Sequence, residues 1–186
     1  PRGHRDGQIH VGLFDPSFQP GKSYRLIVML DVLEHMPDPE AGLRHALSLL
    51  DPDGLLLITV PAFRLLWTQH DVMNQHYTRF TAASFSALAN SFDMREDEMR
   101  YFYHWLFPLK MAVRMKEACW PTDPQPPQIP SPGVNRFLYG VSRLEQRLCG
   151  RHGLPFGSSL FALGGRPSPV VSLDPREDVV EQLVGV

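Results

Sequence analysis

The chain has 186 residues, of which 43% are hydrophobic and 20% are charged, a balance typical of one soluble globular domain and unlike that of a disordered chain. Its 18 basic and 20 acidic residues leave a formal net charge of −2, which argues against nucleic acid as a partner. The two cysteines, Cys119 and Cys149, lack CxxC spacing, so we expect neither a disulfide scaffold nor a zinc site. This cysteine pattern favours a reducing, cytoplasmic setting. No apolar run is long enough to span a membrane, and the first residues do not resemble a signal segment.

The first predicted elements are two strands. Residues 8–14 form a short apolar segment that ends at an Asp-Pro turn signal, which predicts a strand. Residues 24–30, YRLIVML, are almost continuously apolar, as expected for a parallel strand that is buried on both faces. We therefore expect the second segment to lie in the centre of a sheet.

A capped helix and another buried strand follow. Asp-Pro-Glu at 38–40 supplies an N-cap, a first-position proline and a first-turn acid, and apolar residues then recur at helical spacing to Leu50. The tetrapeptide DPDG at 51–54 predicts a type I turn, and residues 55–60, LLLITV, predict a strand. Because a strand, a helix and a strand in this order form a βαβ unit, the fold class is α/β with a parallel sheet.

The remaining elements are more widely spaced. A polar and aromatic loop runs to residue 80, and Thr81 can cap a helix that carries Phe85 and Ala89. We predict a strand at 94–103, helices at 105–119 and 134–149, and a strand at 158–163. A proline-rich stretch separates the two helices, and residues 168–186 are predicted to be a flexible tail.

Polar residues cluster where the two buried strands end. Asp31, Glu34 and His35 directly follow the strand at 24–30, in the phrase MLDVLEHMPDP. The loop after residue 60 contains His70, Asp71, His76, Tyr77 and Arg79. Ligands bind beyond the carboxyl ends of strands in open parallel sheets, so both segments are candidates for a functional site. The alternative is that Glu34 and His35 only hold the loop in place through hydrogen bonds and salt bridges.

The phrase DVLEH, the PDP helix start and the DPDG turn before an apolar strand resemble the middle of a class I S-adenosylmethionine-dependent methyltransferase. HDVMNQHYTRFTAASFSALANSF resembles the next part of a bacterial, type 11/23-like subgroup, and residues 101–114 and 135–163 resemble its C-terminal portion. The resemblance covers residues 8–167. It implies a Rossmann-like methyltransferase sheet with a helical C-terminal insertion at about 105–150.

The sequence departs from the family pattern at its beginning. The family starts with a strand that leads into a glycine-rich loop and a second strand that ends in an acid, and neither feature occurs here. No G-x-G pattern is present anywhere in the chain. We therefore expect residues 1–167 to be a partial methyltransferase domain that lacks the first strands and is incomplete at its N-terminus.

The resemblance implies S-adenosylmethionine as the cofactor and two groups of residues that contact it. Residues 8–14 would be the third strand of the family, so Leu13, Phe14 and Asp15 would close over the adenine. The residues at the end of the fourth strand would be Met29, Leu30 and Asp31. In the alternative interpretation, Asp15 only initiates a turn and Met29 only packs in the core.

The candidate general bases are His76, His70 and His35, which the resemblance places on the side where the methyl acceptor enters. Imidazole is suited to removing a proton near neutral pH. His70 and His76 lack the i, i+4 spacing of a zinc motif, so no metal is expected. The acceptor is expected to be a small molecule or a lipid- or carrier-linked group.

Two further interpretations concern partners and class. Basic residues on the two C-terminal helices, among them Arg136, Arg143 and Arg147, suit anionic lipid headgroups or a phosphate-bearing substrate, although they also fit a solvated face. The second function considered is a non-catalytic methyltransferase-fold remnant that binds a partner through an exposed sheet edge. A nicotinamide-dependent oxidoreductase is disfavoured, because its G-x-G-x-x-G loop is also absent.

Overall fold

A computed structural model describes residues 9–120, 130–149 and 153–167 of the chain. Within these residues, the strands are β1 (Tyr24–Leu30), β2 (Leu50–Pro61), β3 (Arg95–Phe102) and β4 (Ser159–Gly165). The helices are α1 (Pro39–Ser48), α2 (Gln69–Met73), α3 (Ala82–Asn90), α4 (Leu106–Cys119) and α5 (Pro132–Cys149).

The four strands form one mixed sheet in the order β1-β2-β4-β3. β1 and β2 are parallel, and their register runs from Leu26 opposite Leu55 to Leu30 opposite Thr59. β4 lies between β2 and β3 and is antiparallel to both. The predicted α/β class and the predicted parallel adjacency of the two apolar strands are confirmed. The carboxyl ends of β1 and β2 consequently lie side by side. The predicted central position of residues 24–30 is wrong for the described part of the chain, because β1 lies at the edge of the sheet and Leu26, Val28 and Leu30 on one of its faces are about half exposed.

Two capped helices cover one face of this sheet. The Asp38 side chain accepts a hydrogen bond from the Ala41 amide at 3.0 Å and begins α1, as the sequence predicts. Thr81 begins α3 in the same way, because its hydroxyl accepts from the Ser84 amide at 3.0 Å. The apolar sides of both helices pack on the sheet, and the fully buried residues there include Leu43, Ala46, Leu56, Ile58, Phe85 and Ala89.

Close backbone packing joins β4 to β3 at the far side of the sheet. A Cβ atom added to Gly164 would lie 2.0 Å from the Arg95 carbonyl oxygen, which is far inside van der Waals contact. Only glycine fits this position without moving the neighbouring strand. The backbones of β3 and β4 are therefore closely packed at this position.

The predicted strand at residues 8–14 is wrong over the part that the structure describes. Residues 9–14 form an extended loop, and Ile9, Val11 and Leu13 are 90%, 99% and 81% exposed. A strand needs a neighbour for its backbone hydrogen bonds and a core for its apolar side chains, and this segment pairs with no described strand. Local apolar alternation was therefore not enough to form a strand here.

The predicted type I turn at 51–54 lies inside a strand. β2 begins at Leu50, and these residues form a bulge inside it, because Tyr24 pairs with Leu50 whereas Leu26 already pairs with Leu55. Gly54 lies against β1 at this point, since an added Cβ would come within 2.8 Å of the Tyr24 carbonyl oxygen. The same Cβ would lie 3.0 Å from the Asp51 carbonyl oxygen, so the chain folds back tightly at these residues while the strand continues on both sides of them.

The other predicted elements are found close to their expected bounds. α3, β3, α4, α5 and β4 correspond to the predicted helix after Thr81, the strand at 94–103, the two C-terminal helices and the last strand. The predicted tail at 168–186 lies outside the described residues. Among the helices of the described ranges, none has the length and apolar character needed to cross a lipid bilayer.

Candidate functional site

The end of β1 is tied to the end of β2 through Asp31. The Asp31 amide donates to the Thr59 carbonyl oxygen at 2.9 Å, and the Thr59 hydroxyl lies 3.3 Å from the Asp31 carboxylate. Asp31 has a φ of 52°, a left-handed conformation that aspartate tolerates better than most residues. The chain therefore turns sharply out of the sheet and leads directly into the short helical turn Leu33–His35.

This helical turn buries one acid and exposes one histidine. Glu34 is only 1% exposed, and its Oε2 atom has no hydrogen-bond partner among the described residues. Burial raises the pKa of Glu34 to about 7, because the charged carboxylate loses its hydration. His35, the next residue, is exposed. The sequence pattern LEH thus places a proton-exchanging carboxyl group beside an accessible imidazole.

The loop after β2 returns to this helical turn and brings His76 to it. Phe80 donates its amide to the Pro61 carbonyl oxygen at 2.9 Å, and Tyr77 donates its amide to the Glu34 carbonyl oxygen at 2.7 Å. The second bond joins the two segments directly. As a result, the rings of His35 and His76 lie edge to face with centroids 4.6 Å apart. The structure therefore brings together two of the three predicted general bases.

Asp71 is the buried centre of the loop. Its side chain is fully buried and forms a two-pronged ion pair with Arg79, with Nε donating to Oδ1 at 2.8 Å and Nη2 to Oδ2 at 3.0 Å. The Thr68 amide also donates to Oδ2, at 2.9 Å. Burial alone would raise the pKa of Asp71, but the hydrogen bonds from Arg79 and Thr68 outweigh it and hold the pKa below its usual value.

His76 is oriented by this aspartate. Its Nδ1 lies 2.9 Å from Oδ1 of Asp71, and the side chain is 10% exposed. An Asp71 carboxylate fits a protonated Nδ1, which leaves the Nε2 lone pair of a neutral ring available. Burial lowers the pKa of His76 although Asp71 opposes the shift, so the neutral form is favoured. The pair can therefore accept a proton at Nε2.

His70, the third predicted base, belongs to a different local arrangement. It lies in α2, is exposed, and its Nε2 accepts from the side-chain amide of Asn74 at 2.8 Å. No described hydrogen bond or ring contact joins it to His76 or His35. The sequence could not separate these histidines, since only the fold decides which of them faces Glu34.

The predicted cofactor residues fall into two groups. Asp31 and Leu30 lie at the strand end that borders the cluster, and Met29 is buried in the core. Leu13 is exposed, the Phe14 ring packs 4.9 Å from that of His45 in α1, and Asp15 accepts from the Ser17 amide at 2.8 Å in a turn. The contact of these six residues with a cofactor stays a prediction.

Sequence reasoning missed a cavity on the other face of the sheet. It has a volume of about 480 Å³ and lies between the sheet and α5, where it is lined by residues that include Thr59, Tyr101, His104, Glu145 and Phe161. Thr59 connects this cavity to Asp31 through the contact described above. The alternation of side chains along β3 and β4 could have indicated which of them share one face of the sheet. It could not have indicated that they lie beneath α5. An apolar floor with a few polar groups suits a small molecule.

Comparison with known proteins agrees with the sequence resemblance. A family model described as a methyltransferase domain matches residues 5–95, the part that carries β1, α1, β2 and the Glu34, His35 and His76 cluster. The family uses S-adenosylmethionine. No curated protein matches the sequence significantly.

Several solved structures overlap with this chain at low identity. A methyltransferase that depends on S-adenosylmethionine, from Archaeoglobus fulgidus, is 12% identical, with a TM-score of 0.42 over 77% of this chain and 59% of its own. Phosphoethanolamine N-methyltransferase 2 of Haemonchus contortus, solved with S-adenosyl-L-methionine, is 12% identical, with a TM-score of 0.42 over 77% of this chain and 33% of its own. A chain of the Haloferax volcanii complex of the Trm112 methyltransferase activator is 14% identical, with a TM-score of 0.44 over 78% of this chain and 55% of its own.

These overlaps, with TM-scores below 0.5, carry no weight beyond the family match. The chain spans between a third and three fifths of the length of these structures. The family assignment rests on the matched segment, which contains the parallel strand pair and the polar groups at its carboxyl ends. Residues 5–95 of this chain match the model of the methyltransferase-domain family, and this match confirms the resemblance to class I methyltransferases.

Proposed function

We propose that this chain takes part in methyl transfer from S-adenosylmethionine to a small or carrier-linked acceptor, with His76 as the general base. The observation that carries the proposal is the Asp71–His76 pair, which leaves Nε2 available on a ring that contacts His35 and lies close to Glu34, at the carboxyl ends of β1 and β2. In open α/β sheets, ligands bind beyond the carboxyl ends of adjacent parallel strands, as β1 and β2 are here. Of the three candidate histidines, His76 is the one that an internal carboxylate orients.

The chemistry requires alignment and the removal of one proton. The acceptor atom attacks the methyl carbon, the bond between that carbon and the sulfonium sulfur breaks with its electrons remaining on sulfur, and S-adenosylhomocysteine leaves. The acceptor proton passes to Nε2 of His76, and Asp71 stabilises the imidazolium that forms. Glu34, with its pKa near 7, can then relay the proton, and His35 borders the same space.

The cofactor side of the proposal uses the end of β1. Met29, Leu30 and Asp31 lie at the carboxyl end of β1, next to the end of β2. A cofactor bound along these residues would hold its methyl group near Glu34, His35 and His76. Leu13, Phe14 and Asp15 would contribute to the adenine side from their loop against α1. Thr59, which bonds to Asp31, would help to keep the carboxylate in place.

A lipid-linked acceptor is supported by the surface of α5. This helix exposes an apolar stripe that consists of Val134, Phe137, Leu144 and Leu148. The exposed basic residues next to the stripe are Arg136, Arg143 and Arg147. Apolar and basic groups on one helix suit the interface of an anionic bilayer. The proposed acceptor class therefore includes molecules that are presented at a membrane surface.

The test is production of S-adenosylhomocysteine by the purified chain, supplied with millimolar S-adenosylmethionine and a panel of small, lipid-linked and carrier-linked acceptors. Once an acceptor is found, His76→Ala should lower turnover roughly 10²-fold or more, which is the usual contribution of a general base. His70→Ala is the matched control and should leave turnover unchanged. No product with any acceptor would favour a non-catalytic binding role, and an active His76→Ala variant would exclude this base.

A further inference from the structure

Glu34, His35 and His76 form a group whose donor atoms could surround one ion. One donor atom from each, a carboxylate oxygen or a ring nitrogen, lies within 4.8 Å of the other two. Four-coordinate zinc holds its ligands at about 2.0–2.2 Å, which places neighbouring donors about 3.3 Å apart. The three side chains need to approach one another by only about 1–1.5 Å. The imidazole of His35 is exposed and already contacts the ring of His76.

Glu34 provides independent support for a ligand at this position. Its side chain is almost completely buried, yet Oε2 has no hydrogen-bond partner in the described part of the chain. A buried polar atom without a hydrogen-bond partner is unfavourable, more so if it is charged, so such atoms are rarely left without one. A bound cation would satisfy Oε2.

His76 already has the second hydrogen bond that metal-binding histidines usually form. Its Nδ1 is held by Asp71 at 2.9 Å, which fixes the ring and leaves Nε2 as the ligand atom. Asp71 is itself held by Arg79, which fixes the orienting carboxylate. This carboxylate–histidine arrangement is built before any ion arrives.

We propose that Glu34, His35 and His76 bind one divalent metal ion such as zinc, cobalt or iron. Two imidazoles and one carboxylate form a donor set that suits zinc, cobalt or iron better than magnesium, which prefers oxygen ligands. Three protein ligands leave a coordination position open for water or an acceptor atom. The sequence-based argument against a metal considered the spacing of the two cysteines and that of His70 and His76. It did not consider this group, whose members are brought together by the Tyr77–Glu34 backbone bond.

Metal binding gives the cluster a second state, because Nε2 of His76 cannot hold an ion and accept a proton at once. In the metal-bound state the open position would take the acceptor hydroxyl or amine and lower its pKa, as bound ions do for water. Binding itself does not depend on methyl transfer. The two proposals can therefore fail separately.

The experiment titrates the full chain, first freed of metal with a chelator, with Zn²⁺ by calorimetry and with Co²⁺ by visible absorption. We expect one ion per chain with micromolar or tighter affinity, and little response to Mg²⁺ at the same concentration. His35→Gln and Glu34→Gln should weaken binding at least tenfold, whereas the matched control His70→Gln should not change it.

Folding of each variant is checked by circular dichroism, and His35→Gln keeps the test decisive because His35 is exposed. The proposal is overturned if the folded wild-type chain binds neither ion below millimolar concentration. It is also overturned if His35→Gln binds both ions as well as the wild type does, or if magnesium binds as tightly as zinc.

Discussion

Individual residues of the site differ mainly in what surrounds them. Glu34 and Asp71 are both buried carboxyl groups, but Asp71 has Arg79 and Thr68 as donors whereas Oε2 of Glu34 has none. Their pKa values therefore move in opposite directions, Asp71 below its usual value and Glu34 up to about 7. Two residues of one chemical type consequently have different tasks, since one orients and the other can exchange a proton or bind a cation.

The buried ion pair leads to a prediction about stability. Asp71→Asn leaves the buried Arg79 guanidinium without an opposite charge, which should lower the free energy of unfolding by about 3 kcal/mol or more. The measurement is urea-induced unfolding. Asp97→Asn in the partly exposed Arg95–Asp97 pair is the matched control, and it should cost less than about 1 kcal/mol. Equal losses in the two variants would contradict the assigned importance of burial.

At the scale of elements, the local signals that begin helices worked well. The predicted caps Asp38 and Thr81 both accept backbone amides where the helices begin. The strand signal, which depends on a neighbouring element, failed at residues 9–14, which form a loop. Helix caps are satisfied within four residues, whereas a strand forms only when a partner supplies its hydrogen bonds.

The exposed stripe of α5 leads to a prediction about membrane contact. The chain should bind vesicles that contain anionic lipid, more weakly at high salt, and should not bind vesicles of zwitterionic lipid. Phe137→Asp should weaken this binding at least tenfold, because it places a charge in the apolar stripe. Asn135→Asp introduces the same charge on the same helix and should have a much smaller effect. Vesicle sedimentation measures both, and equal losses would mean that charge alone drives the contact.

At the scale of the whole molecule, one face of the sheet is well covered and the other is not. α1 and α3 cover the first face, where Leu43 and Phe85 are fully buried. On the other face, Leu26, Val28 and Leu30 of β1 are about half exposed. The cavity beneath α5 lies on this second face. Thr59 lines the cavity, and its hydroxyl contacts the Asp31 carboxylate. The strands that lead to the candidate site are therefore packed against helices α1 and α3 on the first face of the sheet.

The cofactor affinity of this chain follows from its sequence at the same scale. We expect S-adenosylmethionine to bind more weakly than micromolar, because no G-x-G loop is present to bring backbone amides close to the cofactor. Calorimetry measures the affinity directly, and S-adenosylhomocysteine serves as the comparison ligand. Micromolar or tighter binding would show that the end of β1 and the loop at residues 13–15 suffice on their own.

The sequence alone determined the βαβ unit, the two capped helices and the position of the polar residues after each buried strand. These features follow from short-range patterns: an apolar run of strand length, an Asp-Pro-Glu helix start, and acids and histidines directly after the strands. They also carried the family resemblance, which the match over residues 5–95 confirmed.

Only the tertiary structure decided how the polar residues combine. The backbone bond from Tyr77 to Glu34 brings together two segments that are distant in sequence, and this bond places His76 beside His35 while His70 stays apart. The burial that shifts the pKa values of Glu34 and Asp71 likewise depends on how the loop packs against the sheet. Contacts between distant segments leave no periodic trace in a single sequence, so spacing along the chain could suggest the candidates but could not choose among them.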